Sequence, residues 1–91
     1  MPDADADTIR LTLPPDEDMR PVVEVAVGVV ARRWGLSDVE VRAARAATGG
    51  AMAELAGMAG EAPVQVAVLG TDHHLEVHLV RGTDERTISL P

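Results

Sequence analysis

Imidazole and carboxylate side chains recur at every second position in His74, Glu76 and His78. On a β-strand that spacing puts all three on one face. Imidazole and carboxylate together can share a transition metal, and Asp72 and His73 stand just before them. The opposite parity, Leu75, Val77 and Leu79, is apolar. The three polar residues therefore also read as the solvated outer face of a half-buried strand. That simpler reading is preferred, because no neighbour in sequence is placed to orient the imidazoles. No metal and no cofactor are expected, with His74, Glu76 and His78 kept as the weak metal candidates.

Arg42 and Arg45 are the second group. They lie about one helical turn apart and could hold an anionic ligand or an acidic partner helix through forked hydrogen bonds. Gly49-Gly50 follow one turn later and could leave a pocket beside them or allow helix–helix contact between subunits. Arg42, Arg45, Gly49 and Gly50 are therefore the candidate ligand-binding residues. The plainer alternatives are a solvated arginine face and close intramolecular packing at the glycines. Ser37 reads as a helix cap rather than a nucleophile, since no His or Asp is arranged in sequence to activate it. No catalytic residue is assigned. Thr83-Asp84-Glu85 reads as a turn and Trp34 as core.

The elements that must position these groups follow from periodicity. Ile9, Leu11 and Leu13 alternate with Thr8, Arg10 and Thr12, which predicts a half-buried strand over residues 8–13. Pro14-Pro15 stop it. Residues 16–34 read as a helix. Asp16, Glu17 and Asp18 favour its N-terminus, Pro21 falls in its first turn, and Val23, Val27, Val30 and Trp34 form its apolar stripe. Gly35 ends it. Ser37-Asp38-Val39-Glu40 is a capping-box pattern that opens a second helix over about residues 38–57. Val39, Ala43, Ala46, Ala47, Gly50 and Leu55 suggest its buried side, with Arg42, Arg45, Gly49 and Met52 on a neighbouring face. Val64, Val66 and Val68 alternate with Gln65 and Ala67. Gly70-Thr71-Asp72-His73 turns the chain into the strand that carries His74 to Leu79, making a hairpin. Arg81-Gly82-Thr83-Asp84 turns it again, and residues 87–90 can form a short last strand. The expected fold is α+β: two helices packed on one face of a small, mainly antiparallel sheet, in the order β-α-α-β-β-(β).

Composition narrows the function classes. Ninety-one residues suit one domain. Hydrophobic residues make up 46%, too many for a disordered chain, and the one aromatic is Trp34. The net charge is -7 and every cation other than His is Arg. An acidic surface disfavours nucleic acid. Cysteine is absent, so disulfides and thiol chemistry are excluded. Residues 1–7 read as a disordered acidic tail rather than a signal peptide. The longest apolar stretch, Val25 to Ala31, is too short to span a bilayer, so no membrane association and a cytoplasmic location are expected.

The order of elements, with Leu11-Thr12-Leu13-Pro14 before an acidic helix start, resembles the anti-sigma-factor serine kinases of the GHKL ATPase superfamily, which includes the histidine kinases. Gly35-Leu36-Ser37 is similar to that family's link into its second helix, and Ala46-Ala47-Thr48 to its second-helix phrase. The resemblance implies that Arg45 stands where the family has its Glu base. It likewise implies that Gly49 stands where the family has the Asn that binds magnesium. Neither side chain offers Mg²⁺ an oxygen. Val80-Arg81-Gly82-Thr83 departs from the family's adenine-recognising Asp-x-Gly, and no glycine-rich lid follows. The match covers roughly residues 8–84, about half of a family domain. Residues 8–91 are thus expected to form a single truncated, degenerate GHKL-like domain that is not an enzyme. It would act as a regulatory interaction module through homodimerisation and a protein partner, a sigma factor or another regulator. The first alternative is a small-ligand or nucleotide-sensing domain that binds without hydrolysis. The second is a subunit whose missing half comes from another chain.

Overall fold

The structure is a computed structural model that describes residues 6–90, with side chains from residue 8 on. Residues 1–5 of the acidic tail lie outside the described residues. The chain runs β1 (Ala6–Leu13), a 3-10 turn (Glu17–Met19), α1 (Arg20–Arg33), α2 (Asp38–Ala56), β2 (Val64–Thr71), β3 (His74–Arg81) and β4 (Asp84–Leu90). The four strands form one antiparallel sheet in the order β1-β2-β3-β4. The α+β expectation, with its order of elements, is what the chain adopts. Strand β1 starts two residues earlier than the pattern predicts, because Ala6 and Asp7 still pair with Thr71 and Gly70. Strand β4 begins at Asp84 rather than Thr87, and the turn before it narrows to Gly82 and Thr83.

The first helical segment is split rather than continuous. Pro21 has no N–H to donate to residue 17, so α-helical bonding cannot begin there. The entry tightens into a 3-10 turn, with Met19 N–H donating to the Asp16 carbonyl at 2.9 Å. Asp16 caps that turn by accepting from the Asp18 N–H at 2.9 Å. Helix α1 ends in a Schellman motif. Gly35, at φ 87°, lets Leu36 N–H reach the Ala31 carbonyl and its own N–H reach that of Arg32. The β2–β3 turn docks on this end: His73, itself left-handed at φ 56°, donates its N–H to the Trp34 carbonyl at 2.9 Å. One backbone contact thus ties the sheet to the end of the helix.

The buried side of α2 differs from expectation. Val41, Ala44, Thr48, Met52 and Leu55 face the core, while Ala43, Ala46 and Ala47 are exposed and Val39 is 72% exposed. Met52 and Gly49, expected on a neighbouring face, are buried. The helix is rotated relative to the reading because alanine marks neither face strongly. A polar residue, Thr48, also sits in the true stripe. Against this stripe pack Val23, Val27 and Val30 of α1 and the inward residues of the sheet, led by Val66, Val68, Leu75, Val77 and Leu79. Both helices lie on this one face.

Helix α2 opens with a complete capping box. Glu40 N–H donates to Ser37 Oγ at 3.2 Å, and Ser37 N–H donates to Glu40 Oε1 at 2.8 Å. The Ser37 backbone N–H and then its hydroxyl hold the Glu40 carboxyl below its usual range, outweighing an opposing effect of desolvation, with the nearby His73 adding least. A lowered folded-state pKa contributes stability that is present above the unfolded value and is lost as pH falls through the folded one. Ser37→Ala is expected to cost about 1 kcal/mol at neutral pH. That cost should shrink as acid protonates Glu40, which urea titrations at neutral and acid pH will show.

Candidate functional site

Strand alternation divides the sheet into a covered and an open face. Across the open face the register aligns Arg10, Ala67, His78 and Thr87 in one row, Thr12, Gln65, Val80 and Glu85 in a second, and Thr8, Leu69, Glu76 and Ser89 in a third. Arg10, Thr12, Ala67, Leu69, His74 and His78 are thus gathered on one surface, none of them fully buried. A shallow recess of about 420 Å³ runs over β1, β2 and β3, floored by Ala67 and Leu69 and bordered by Arg10, Gln65, His78 and Val80.

The metal candidates lie here, but they converge on a carboxylate. His78 Nε2 sits 2.6 Å from Glu76 Oε1, and His74 Nε2 sits 3.8 Å from Glu76 Oε2. Glu76 therefore stands between two imidazoles, close to His78 and further from His74. Among the described residues no group of three or more His, Cys, Asp or Glu is arranged to hold a metal.

The ligand set of Arg42, Arg45, Gly49 and Gly50 is divided. Arg42 and Arg45 line a recess on the outer side of the helices together with Arg32, a residue the sequence reading did not include. Gly49 lies one turn further along, beneath the Arg20–Glu24 ion pair of α1, whose Nε and Oε2 are 3.0 Å apart. A Cβ at Gly49 would stand 2.7 Å from Glu24 Oε2 and 2.8 Å from Arg20 Nε. Gly50 meets nothing within 4 Å. The pair of glycines is thus one close helix contact and one open position, with no gap beside the arginines. Gly50→Ala is expected to raise stability by about 0.5–1 kcal/mol through helix propensity alone. Gly49→Ala should gain nothing or lose stability, since the ion pair must move. Thermal denaturation of the two variants measures the contrast.

Sequence reasoning missed Arg81, which it placed in a turn. Arg81 is 4% exposed and is the one charged residue buried among those described. Its guanidinium donates to four carbonyls: Nε to Ala62 at 2.8 Å, Nη1 to Leu55 at 2.7 Å and to Met58 at 2.6 Å, and Nη2 to Gly60 at 2.6 Å. It thereby caps the C-terminus of α2, where the helix dipole favours a cation, and pins the loop that leads to β2. Strand parity carried the signal: Leu75, Val77, Leu79 and Arg81 share the inward face. Ser37 is the cap it was read as, and Trp34 is a half-buried edge of the core.

No helix among the described residues is long and apolar enough to cross a membrane. No protein-family model matches the chain, and no curated protein matches it.

Proposed function

We propose that this chain is a non-catalytic regulatory module that acts by binding, as a homodimer that presents itself to a protein partner such as a sigma factor or another regulator. The observation that carries this reading is the open sheet face, one side of a two-layer fold that no described helix or strand covers. Small and apolar side chains, Ala67, Leu69 and Val80, sit at its middle. Its charges are segregated: Arg10 lies on the β1 side, and Glu76 and Glu85 lie on the β3 and β4 side. A second copy related by a two-fold axis that runs along the strands between β2 and β3 sets each β1 with its Arg10 against the other copy's β4 with its Glu85, the self-complementary arrangement that an isologous interface requires.

A degenerate relationship to the anti-sigma-factor kinases is part of the proposal. It is supported by the order of elements and by the filled surroundings of Gly49, where the Arg20–Glu24 pair takes the space beside the helix. Arg45 and Gly49 leave that helix without oxygen ligands for Mg²⁺.

Two variants test the dimer by sedimentation. Leu69→Asp puts a carboxylate at the middle of the open face and should convert the protein to monomer. Val39→Asp changes an exposed helix residue remote from that face and should leave the dimer intact. Equal association of both variants, or a wild-type protein that sediments as a monomer, contradicts the proposal.

A further inference from the structure

We propose that Arg32, Arg42 and Arg45 form a binding site for a small molecule carrying a multiply charged oxyanion, on the outer side of the helix pair. The site is remote from the open sheet face and independent of the family relationship. Arg32 comes from the last turn of α1, and Arg42 and Arg45 come from neighbouring turns of α2. The three side chains line one recess of about 290 Å³ with Asp38 and Val41.

Their lack of partners is the informative feature. Arg20 pairs with Glu24, Arg86 with Glu54, Arg81 with backbone carbonyls, and Arg33 is also engaged. Arg32, Arg42 and Arg45, like the solitary Arg10 of the open sheet face, have no hydrogen bond or ion pair to any described residue, and only these three share a recess. Asp38 lines the same recess and pairs with none of them. In a chain of net charge -7, carboxylates are abundant. Three like charges share this recess with a single carboxylate, Asp38, that pairs with none of them, and an anion placed among the arginines offsets the excess positive charge. Guanidinium forks match the oxygens of phosphate and carboxylate groups in paired hydrogen bonds.

The fold also holds Arg45 in place. Its Cδ lies 3.3 Å from where a Cβ on Gly28 would be, so its stem crosses α1 at that glycine. A second recess of about 170 Å³, between Val25, Gly28 and Val29, shares Arg32 and Arg45 with the first. It gives the uncharged part of a ligand an apolar wall.

Pyrophosphate is the probe, titrated by calorimetry at low salt, with sodium chloride at matched ionic strength as the reference. Saturable binding of pyrophosphate is expected, weakened roughly tenfold by Arg32→Ala, Arg42→Ala or Arg45→Ala. Asp38→Asn should tighten it by removing a like charge. Gly28→Ala, which crowds the Arg45 stem by a few tenths of an ångström, should weaken it slightly while circular dichroism shows the helices intact. Arg86→Ala, which removes an arginine elsewhere, should leave it unchanged. Heats equal to those of chloride would overturn the site. So would an unchanged affinity in a folded Arg45→Ala variant, or an equal loss in Arg86→Ala, which would indicate net charge rather than a site.

Discussion

Replacing Arg81 by Leu is expected to cost about 3 kcal/mol of stability, among the largest effects of any single side chain here. The side chain satisfies four carbonyls at once, and Leu55 O lies in the buried end of α2. Leucine restores the apolar stem but none of the donors. The carbonyls of Met58, Gly60 and Ala62 lie in an exposed loop and can turn to water; that of Leu55 cannot do so without fraying the last turn of α2. For a domain of this size the loss corresponds to a fall in Tm of roughly 10–20 °C. Arg81→Lys keeps the charge near the helix C-terminus but cannot span four acceptors, and should lose about half as much. Urea denaturation gives the energies, and amide exchange should show the added opening confined to the end of α2 and the loop after it. A loss below about 1 kcal/mol for Arg81→Leu would mean that the loop reorganises freely and that the cap is incidental.

Gly70→Ala carries the second large effect. A Cβ there would overlap the indole of Trp34 and stand 2.7 Å from Val30 Cγ1. The extra methyl has no space, because Gly70 is buried between β1 and β3 and roofed by the end of α1. Overpacking of this kind costs about 2 kcal/mol. The indole must tilt outward, and since Trp34 is the one aromatic residue, its fluorescence reports the shift without background. In a Trp34→Leu background the obstruction shrinks, and the cost of Gly70→Ala should fall by about 1 kcal/mol. An undiminished cost would place the strain at Val30 instead.

The two residues behind these predictions show what the sequence made legible and what it hid. Period-2 alternation located three strands and their inward residues, and the turn and cap residues Pro21, Gly35 and Ser37 marked the helix limits closely. The same alternation, extended one step beyond Leu79, would have put Arg81 inside. A charged residue next to Gly82 reads as turn chemistry, however, and the acceptors that make its burial tolerable come from a loop some twenty residues away. Close approach at Gly70 is equally non-local, since it depends on Trp34 arriving from another element. The buried face of α2 was hidden for a different reason. Ala43, Ala46 and Ala47 carry too little apolar surface to reveal a phase, and the buried Thr48 argues against the true one.

Of the candidate groups, the open-face residues were gathered by parity alone. Arg42 and Arg45 were recognisable as neighbours on a helix. Arg32, which completes their recess, lies on the other helix, and no spacing rule connects the two. Gly49 and Gly50 look identical in sequence and differ only in what α1 places over them.

The most direct test of the account is the molar mass of the purified protein by light scattering, measured with and without pyrophosphate. Association through the open sheet face predicts twice the chain mass of 9.6 kDa. The value should be the same in both conditions, because the arginine recess lies on the far side of the helices. A mass equal to one chain, or a dimer that appears only with the anion, would contradict it.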